Sequence, residues 1–149
     1  MAIPPEMRIL APRMQTGVLV MGIEATFLGW SVILGLVIIA IAASASVAQR
    51  GLGWAAGPRD RTPPPLAGIA GRLDRARHNF LETFPLFATV VLAVLVLDRQ
   101  DALSAIGVQL YFWARVAHVL VYAAGVAYLR TLIWAVSIAG IVCLLVSLL

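Results

Sequence analysis

Three short runs of reactive or ligand-binding side chains interrupt a chain that is otherwise built of hydrocarbon. The first is Arg72, Arg75, Asn79 and Glu82 in RLDRARHNFLETFPLF, spaced i, i+3, i+7 and i+10, the spacing of one helical face. The second is Arg115, His118 and Tyr122 in ARVAHVLVY, at i, i+3 and i+7. The third is the pair Arg130–Thr131 in YLRT. Guanidinium, amide, carboxylate, imidazole and phenol groups on facing stripes suit a ligand carrying both signs of charge. A polar stripe that runs into a membrane span is costly in lipid, so it must face protein, water or a ligand.

The elements that position these residues follow from composition. The chain has 149 residues, of which 62% are hydrophobic and only 12% charged, with a mean hydropathy of +0.97. A soluble domain would carry about a quarter charged residues. An all-α integral membrane protein of one domain is expected, a four-helix bundle over residues 1–149 that has the lipid bilayer as its surroundings. All eleven basic residues are arginine. The single cysteine, Cys143, lies in an apolar run and reads as a small apolar filler; it excludes a disulfide within the chain.

In chain order, Met1–Thr16 carries Pro4, Pro5 and Pro12 with mixed charge and reads as a tail or interfacial segment rather than a signal peptide. The first span is expected over about residues 25–48, with Glu24 at its entrance; its second half, AIAASASVA, is small enough for close packing. Residues 49–71 form the longest polar connection, where Pro63, Pro64 and Pro65 forbid a continuous helix. The second span covers about 72–97 with Pro85 inside it. The third covers about 106–129, entered through an interfacial aromatic cluster, Tyr111, Phe112 and Trp113. Arg130 and Thr131 make a tight turn, and 132–149 is the fourth span. Arg50, Arg59, Arg61, Arg72, Arg75 and Arg77 face only Asp60 and Asp74, so the 49–71 connection is expected on the cytoplasmic side and both termini on the other.

The rise per residue sets the depth of each stripe. Counted from Arg72, Asn79 is roughly 10 Å and Glu82 roughly 15 Å deep. Counted from Arg130, Tyr122 is roughly 12 Å, His118 roughly 18 Å and Arg115 roughly 22 Å deep, about one turn past Glu82. The stripes can therefore meet. One reading is structural: a buried Glu82–Arg115 ion pair, with His118 and Tyr122 as interhelical hydrogen bonds. The other is a ligand site, favoured because Arg72, Arg75, Asn79 and Arg130 gather further donors at one mouth.

At RARHNFLETFPLF, ARVAHVLVY, YLRT and the RGLGWAAGPRD loop, nearly the whole chain resembles the MAPEG family, the membrane-associated proteins of eicosanoid and glutathione metabolism, and its bacterial members in particular. The resemblance implies a homotrimer in a bacterial inner membrane, with glutathione as cosubstrate bound between subunits. It implies a transferase, peroxidase or isomerase acting on a lipophilic small molecule. Carried onto this sequence, it makes Arg72, Arg75, Asn79, Glu82, His118 and Tyr122 the glutathione-binding set. Glu82 would accept from the glutamyl ammonium, and Arg75 and Arg72 would pair with a carboxylate. Arg130 and Thr131 become the catalytic pair, a guanidinium and a hydroxyl that stabilise the thiolate nucleophile. Two positions depart from the family's prostaglandin E synthase: Tyr122 to Arg130 is one residue shorter, and His78 stands where that enzyme has an arginine. Asp60 is the candidate for its first-loop aspartate.

The family also contains a member that binds lipid without catalysis, so a non-catalytic lipid-binding scaffold is the alternative class; Arg130 with Asn79 and Glu82 favours the enzyme. The sequence shows no internal repeat of the kind transporters carry. Two separated histidines and one cysteine make no metal set. The basic charge hugs a membrane edge, and no nucleic-acid binding is indicated.

Overall fold

The computed structural model describes residues 22–58, 60 and 62–149. The tail expected over Met1–Thr16, with Arg59 and Arg61 of the polar connection, lies outside the described residues. Every element among them is helical: α1 (Ile23–Arg50), α2 (Leu52–Ala56), α3 (Gly68–Val96), α4 (Ala102–Ala124) and α5 (Ala127–Leu148). All but α2 are long and apolar enough to cross a membrane. With 28 and 29 residues, α1 and α3 run to about 42 Å, beyond a hydrocarbon core of about 30 Å. The spanning helices are joined by three reversals of direction, giving a loop end (the 51–67 connection and the α4–α5 turn) and a terminal end, where α1 begins and α5 stops.

Packing follows from which faces carry small or flat side chains. α4 and α5 approach closely at Gly107 and Gly140: a Cβ on either would come within 2.8 Å of the other's carbonyl oxygen. In lipid, where helices gain little from burying hydrocarbon, such close backbone contact supplies much of the attraction. Phe87, Val91 and Val94 of α3 meet Val108 and Tyr111 of α4 and Ile141 and Leu144 of α5 in the core, where Phe87 stacks on Tyr111 with ring centroids 3.8 Å apart. α1 buries Ser31, Gly35, Ile38 and Ala42, so its close contact falls mid-helix, and most of the AIAASASVA run is exposed or half-buried.

At the terminal end a polar clasp ties three helices. Asp101 caps α4 by accepting from Ser104 N at 2.7 Å, while its own N–H donates to Ser104 Oγ at 2.9 Å, a reciprocal capping box. The Ser104 hydroxyl donates to the buried Glu24 carboxylate of α1, and Ser147 Oγ of α5 donates to Asp101 Oδ1 at 2.9 Å. Glu24 is thus a structural acceptor inside the bundle. The Ser104 backbone N–H and then the Ser147 hydroxyl hold the Asp101 carboxyl below the ordinary carboxylate range.

Four sequence expectations change. α3 starts at Gly68 rather than 72, one turn earlier. α4 starts at Ala102 rather than 106, because Asp101 and Ser104 cap it. The inner turn falls at Gly125–Val126, not at Arg130–Thr131; Gly125 takes φ +85°, a left-handed cap that favours glycine, so Arg130 and Thr131 ride in the first turns of α5. Tyr111 is fully buried mid-helix rather than interfacial, since its ring is needed against Phe87. The polar connection also winds one short helix, α2.

Candidate functional site

The earlier turn resets every depth. Measured from Ala124, Arg115 lies roughly 14 Å from the loop end of α4, and from Gly68, Asn79 lies roughly 17 Å and Glu82 roughly 21 Å along α3. Arg115 therefore meets Asn79 and Thr83 instead of Glu82. Its Nη1 donates to Asn79 Oδ1 at 2.7 Å and its Nη2 to Thr83 Oγ1 at 2.6 Å. Thr83 passes its own proton back to the carbonyls of Asn79 and Phe80 at 3.3 and 3.2 Å. Arg115 is 1% exposed, its guanidinium lies 5.3 Å from the Tyr111 ring centroid, and its Nε has no partner. The expected Glu82–Arg115 ion pair is absent: among the described residues Asp74 pairs with Arg77 at 2.8 Å, and His78 Nδ1 lies 3.6 Å from the same carboxylate.

Above this fork, towards the loop end, a pocket of about 210 Å³ opens between α3, α4 and α5, lined by Asn79, His118, Tyr122, Arg130, Thr131 and Trp134. The Arg130 guanidinium sits 5.0 Å from the Tyr122 ring centroid, a cation–π contact, and the Tyr122 ring stands edge-on to His118 at 5.3 Å. His118 is buried. Arg130 reaches Tyr122 because the Gly125 turn brings the first turns of α5 beside the last turn of α4.

Five of the eight residues expected in the binding and catalytic set thus converge, and three do not line this pocket. Arg72 lies half-buried under the α4–α5 turn, where a Cβ on Gly125 would come within 3.2 Å of its Nη1; its Nε is buried without a partner. Arg75 and Glu82 point outward and are exposed. Glu82 occupies the midpoint of α3. Trp134 went unnoticed in the sequence; its signal is the i+4 spacing from Arg130 in an otherwise apolar helix. Thr83 has the same relation to Asn79. His78, which stands where the synthase has an arginine, folds back onto its own helix, with Nδ1 2.8 Å from the Asp74 carbonyl oxygen. Among the described residues no cluster of metal-ligating side chains occurs.

The MAPEG family model matches residues 27–149, from the first turns of α1 to the end of α5. The chain belongs to the MAPEG family. Comparison with individual curated proteins finds no match. As a MAPEG protein with four apolar spanning helices, the chain is an integral membrane protein, and its lipid bilayer surroundings follow. Membership supports a membrane function related to glutathione, of the transferase or peroxidase type or akin to it. Arg130, Tyr122 and Thr131 offer donors to an anion, and among the described residues no carboxylate lines the same space.

Proposed function

We propose that this MAPEG protein is a glutathione-dependent membrane transferase or peroxidase that activates the glutathione thiolate against lipophilic electrophiles or hydroperoxides. The observation that carries the reading is the convergence of Arg130, Thr131, Tyr122, His118 and Asn79 on one pocket. Arg130 holds the sulfur as a thiolate by its fixed positive charge, and the Thr131 hydroxyl donates to it. The thiolate sulfur supplies the electron pair for the new bond to the electrophile, whose leaving group departs with the displaced pair. With a hydroperoxide, sulfur attacks the terminal oxygen, an alcohol leaves, and a second glutathione reduces the sulfenic product to the disulfide and water.

One chain builds only part of the ligand's enclosure. The pocket is smaller than the ~300–1,000 Å³ of ordinary ligand clefts, and Arg75 and Glu82 stand exposed beside it on α3. A carboxylate facing lipid at the centre of a span costs about 3 kcal/mol. In a homotrimer a neighbouring copy covers this face, Glu82 takes the glutamyl ammonium, and Arg75 and Arg72 take a carboxylate. The arginine-bearing loop end lies in the cytoplasm of a bacterium, the termini on the far side of its inner membrane.

Calorimetry of the detergent-purified protein with glutathione tests this, beside Arg130→Ala and Glu82→Gln. Saturable binding with thiolate absorbance near 240 nm, lost in Arg130→Ala, is expected. No saturable binding at about millimolar glutathione, near 4 kcal/mol, would overturn it and leave the lipid-binding scaffold.

A further inference from the structure

Arg115 carries a full positive charge in the middle of a spanning helix, 1% exposed and, among the described residues, with no carboxylate partner. Such a charge is expensive in a membrane protein unless the structure uses it. Its two anchored nitrogens both end on α3, at Asn79 and Thr83, and Asn79 is one of the residues lining the pocket. A guanidinium has donors and no acceptor, so the Asn79 atom that faces it at 2.7 Å must be the amide oxygen. The amide nitrogen then has one direction left. Among the described residues no hydrogen bond engages Asn79 Nδ2.

We propose that Arg115 is a positioning residue for this site: by holding Asn79 through its oxygen, it turns the amide nitrogen to the pocket as a fixed donor. Unrestrained, an asparagine amide rotates by half a turn at little cost and presents oxygen or nitrogen alike. With the oxygen taken, the pocket wall offers Asn79 Nδ2, the Tyr122 and Thr131 hydroxyls and the Arg130 guanidinium, a set that selects an acceptor. On the glutathione reading, on which this inference rests, Asn79 donates to a carbonyl or carboxylate oxygen of the peptide while Arg130 attends the sulfur. Arginine suits the task because its planar fork spans two acceptors one helical turn apart, Asn79 and Thr83; a lysine ammonium is a point charge without that geometry.

The experiment is a double-mutant cycle read by glutathione calorimetry on the full chain in detergent, using Arg115→Lys, Asn79→Ala and the double variant. Arg115→Lys keeps the charge, and it is expected to weaken glutathione at least fivefold. In the Asn79→Ala background the same change should have less than a twofold effect, because Arg115 acts through Asn79. At saturating glutathione the 240 nm thiolate absorbance of Arg115→Lys should persist, since Arg130 is untouched; a general collapse of the site would remove it. Additive effects overturn the positioning role while leaving glutathione binding intact, whereas a wild-type chain that fails to bind overturns both. Should Arg115→Lys not fold, Asn79→Asp decides. It preserves the fork to Arg115 and replaces the pocket-facing donor with an oxygen, so thermal stability should hold and glutathione weaken at least tenfold. Wild-type affinity in Asn79→Asp would sink the proposal.

Discussion

The two ends of the bundle solve the problem of polar groups in a membrane in opposite ways. At the terminal end, Glu24, Ser104, Asp101 and Ser147 satisfy one another across α1, α4 and α5, and the core beneath them is a close-packed stack of Phe87, Tyr111, Val91 and Leu144. At the loop end Asp74 pairs with Arg77, but the cations around the pocket meet no carboxylate among the described residues. Arg115 binds only neutral acceptors, Arg130 rests on a tyrosine ring, and Arg72 keeps a buried Nε without a partner. Closed polar networks stabilise, and half-open ones are kept where something else completes them. The terminal end is the frame; the loop end is where the proposed ligand and the proposed neighbouring subunit would fit.

That contrast breaks most easily at Arg130. Arg130→Ala is expected to lower the rate of glutathione conjugation about a hundredfold or more, as loss of a preorganised charge at a reacting atom does. The thermal midpoint in detergent should stay near the wild-type value; a large drop would make Arg130 part of the frame. Gly140→Leu should do the converse. Its Cβ would sit 2.7 Å from the Gly107 carbonyl oxygen and 2.8 Å from Tyr111 N, both backbone atoms, so α4 and α5 must separate at a cost of about 3 kcal/mol. Unfolding in denaturant measures it, and an unchanged midpoint would show that the glycine pair does not set the helix spacing.

A milder probe of the frame is Phe87→Leu. Loss of the ring stacked on Tyr111 should cost about 1 kcal/mol, with glutathione affinity unchanged within twofold. A larger fall in affinity than in stability would mean that the core and the pocket are coupled through α3. The smallest effect is the pH response of the clasp. The Asp101 carboxyl titrates below its unfolded value of about 3.9, so its contribution is complete above that pH and fades as pH falls through the lower folded value. Acidification below about pH 4 should therefore lower the thermal midpoint, and Asp101→Asn, which still caps a helix, should remove that part of the slope. An identical slope in Asp101→Asn would detach the clasp from acid stability.

The spans, their number and the polar faces were legible in the sequence because 20-residue apolar runs and helical spacing are local properties, fixed by composition and the 3.6-residue repeat. Asn79, His118, Tyr122 and Arg130 could be named from their types and spacing, and Thr131 from the family resemblance that the motifs carry. The register between helices could not. Placing the turn at Arg130 instead of Gly125 misjudged α4 by six residues, roughly 9 Å, enough to pair Arg115 with Glu82 on paper while the protein pairs it with Asn79 and Thr83. Gly125 looks like any glycine in an apolar run, and only packing of α5 against α4 shows that its left-handed backbone ends the helix there. The sequence by itself determined which side chains are available and on which helix face they lie. The tertiary structure decided which of them meet, because partners 32 and 36 residues from Arg115 are chosen by where the turn and the close glycine contact set one helix against the next.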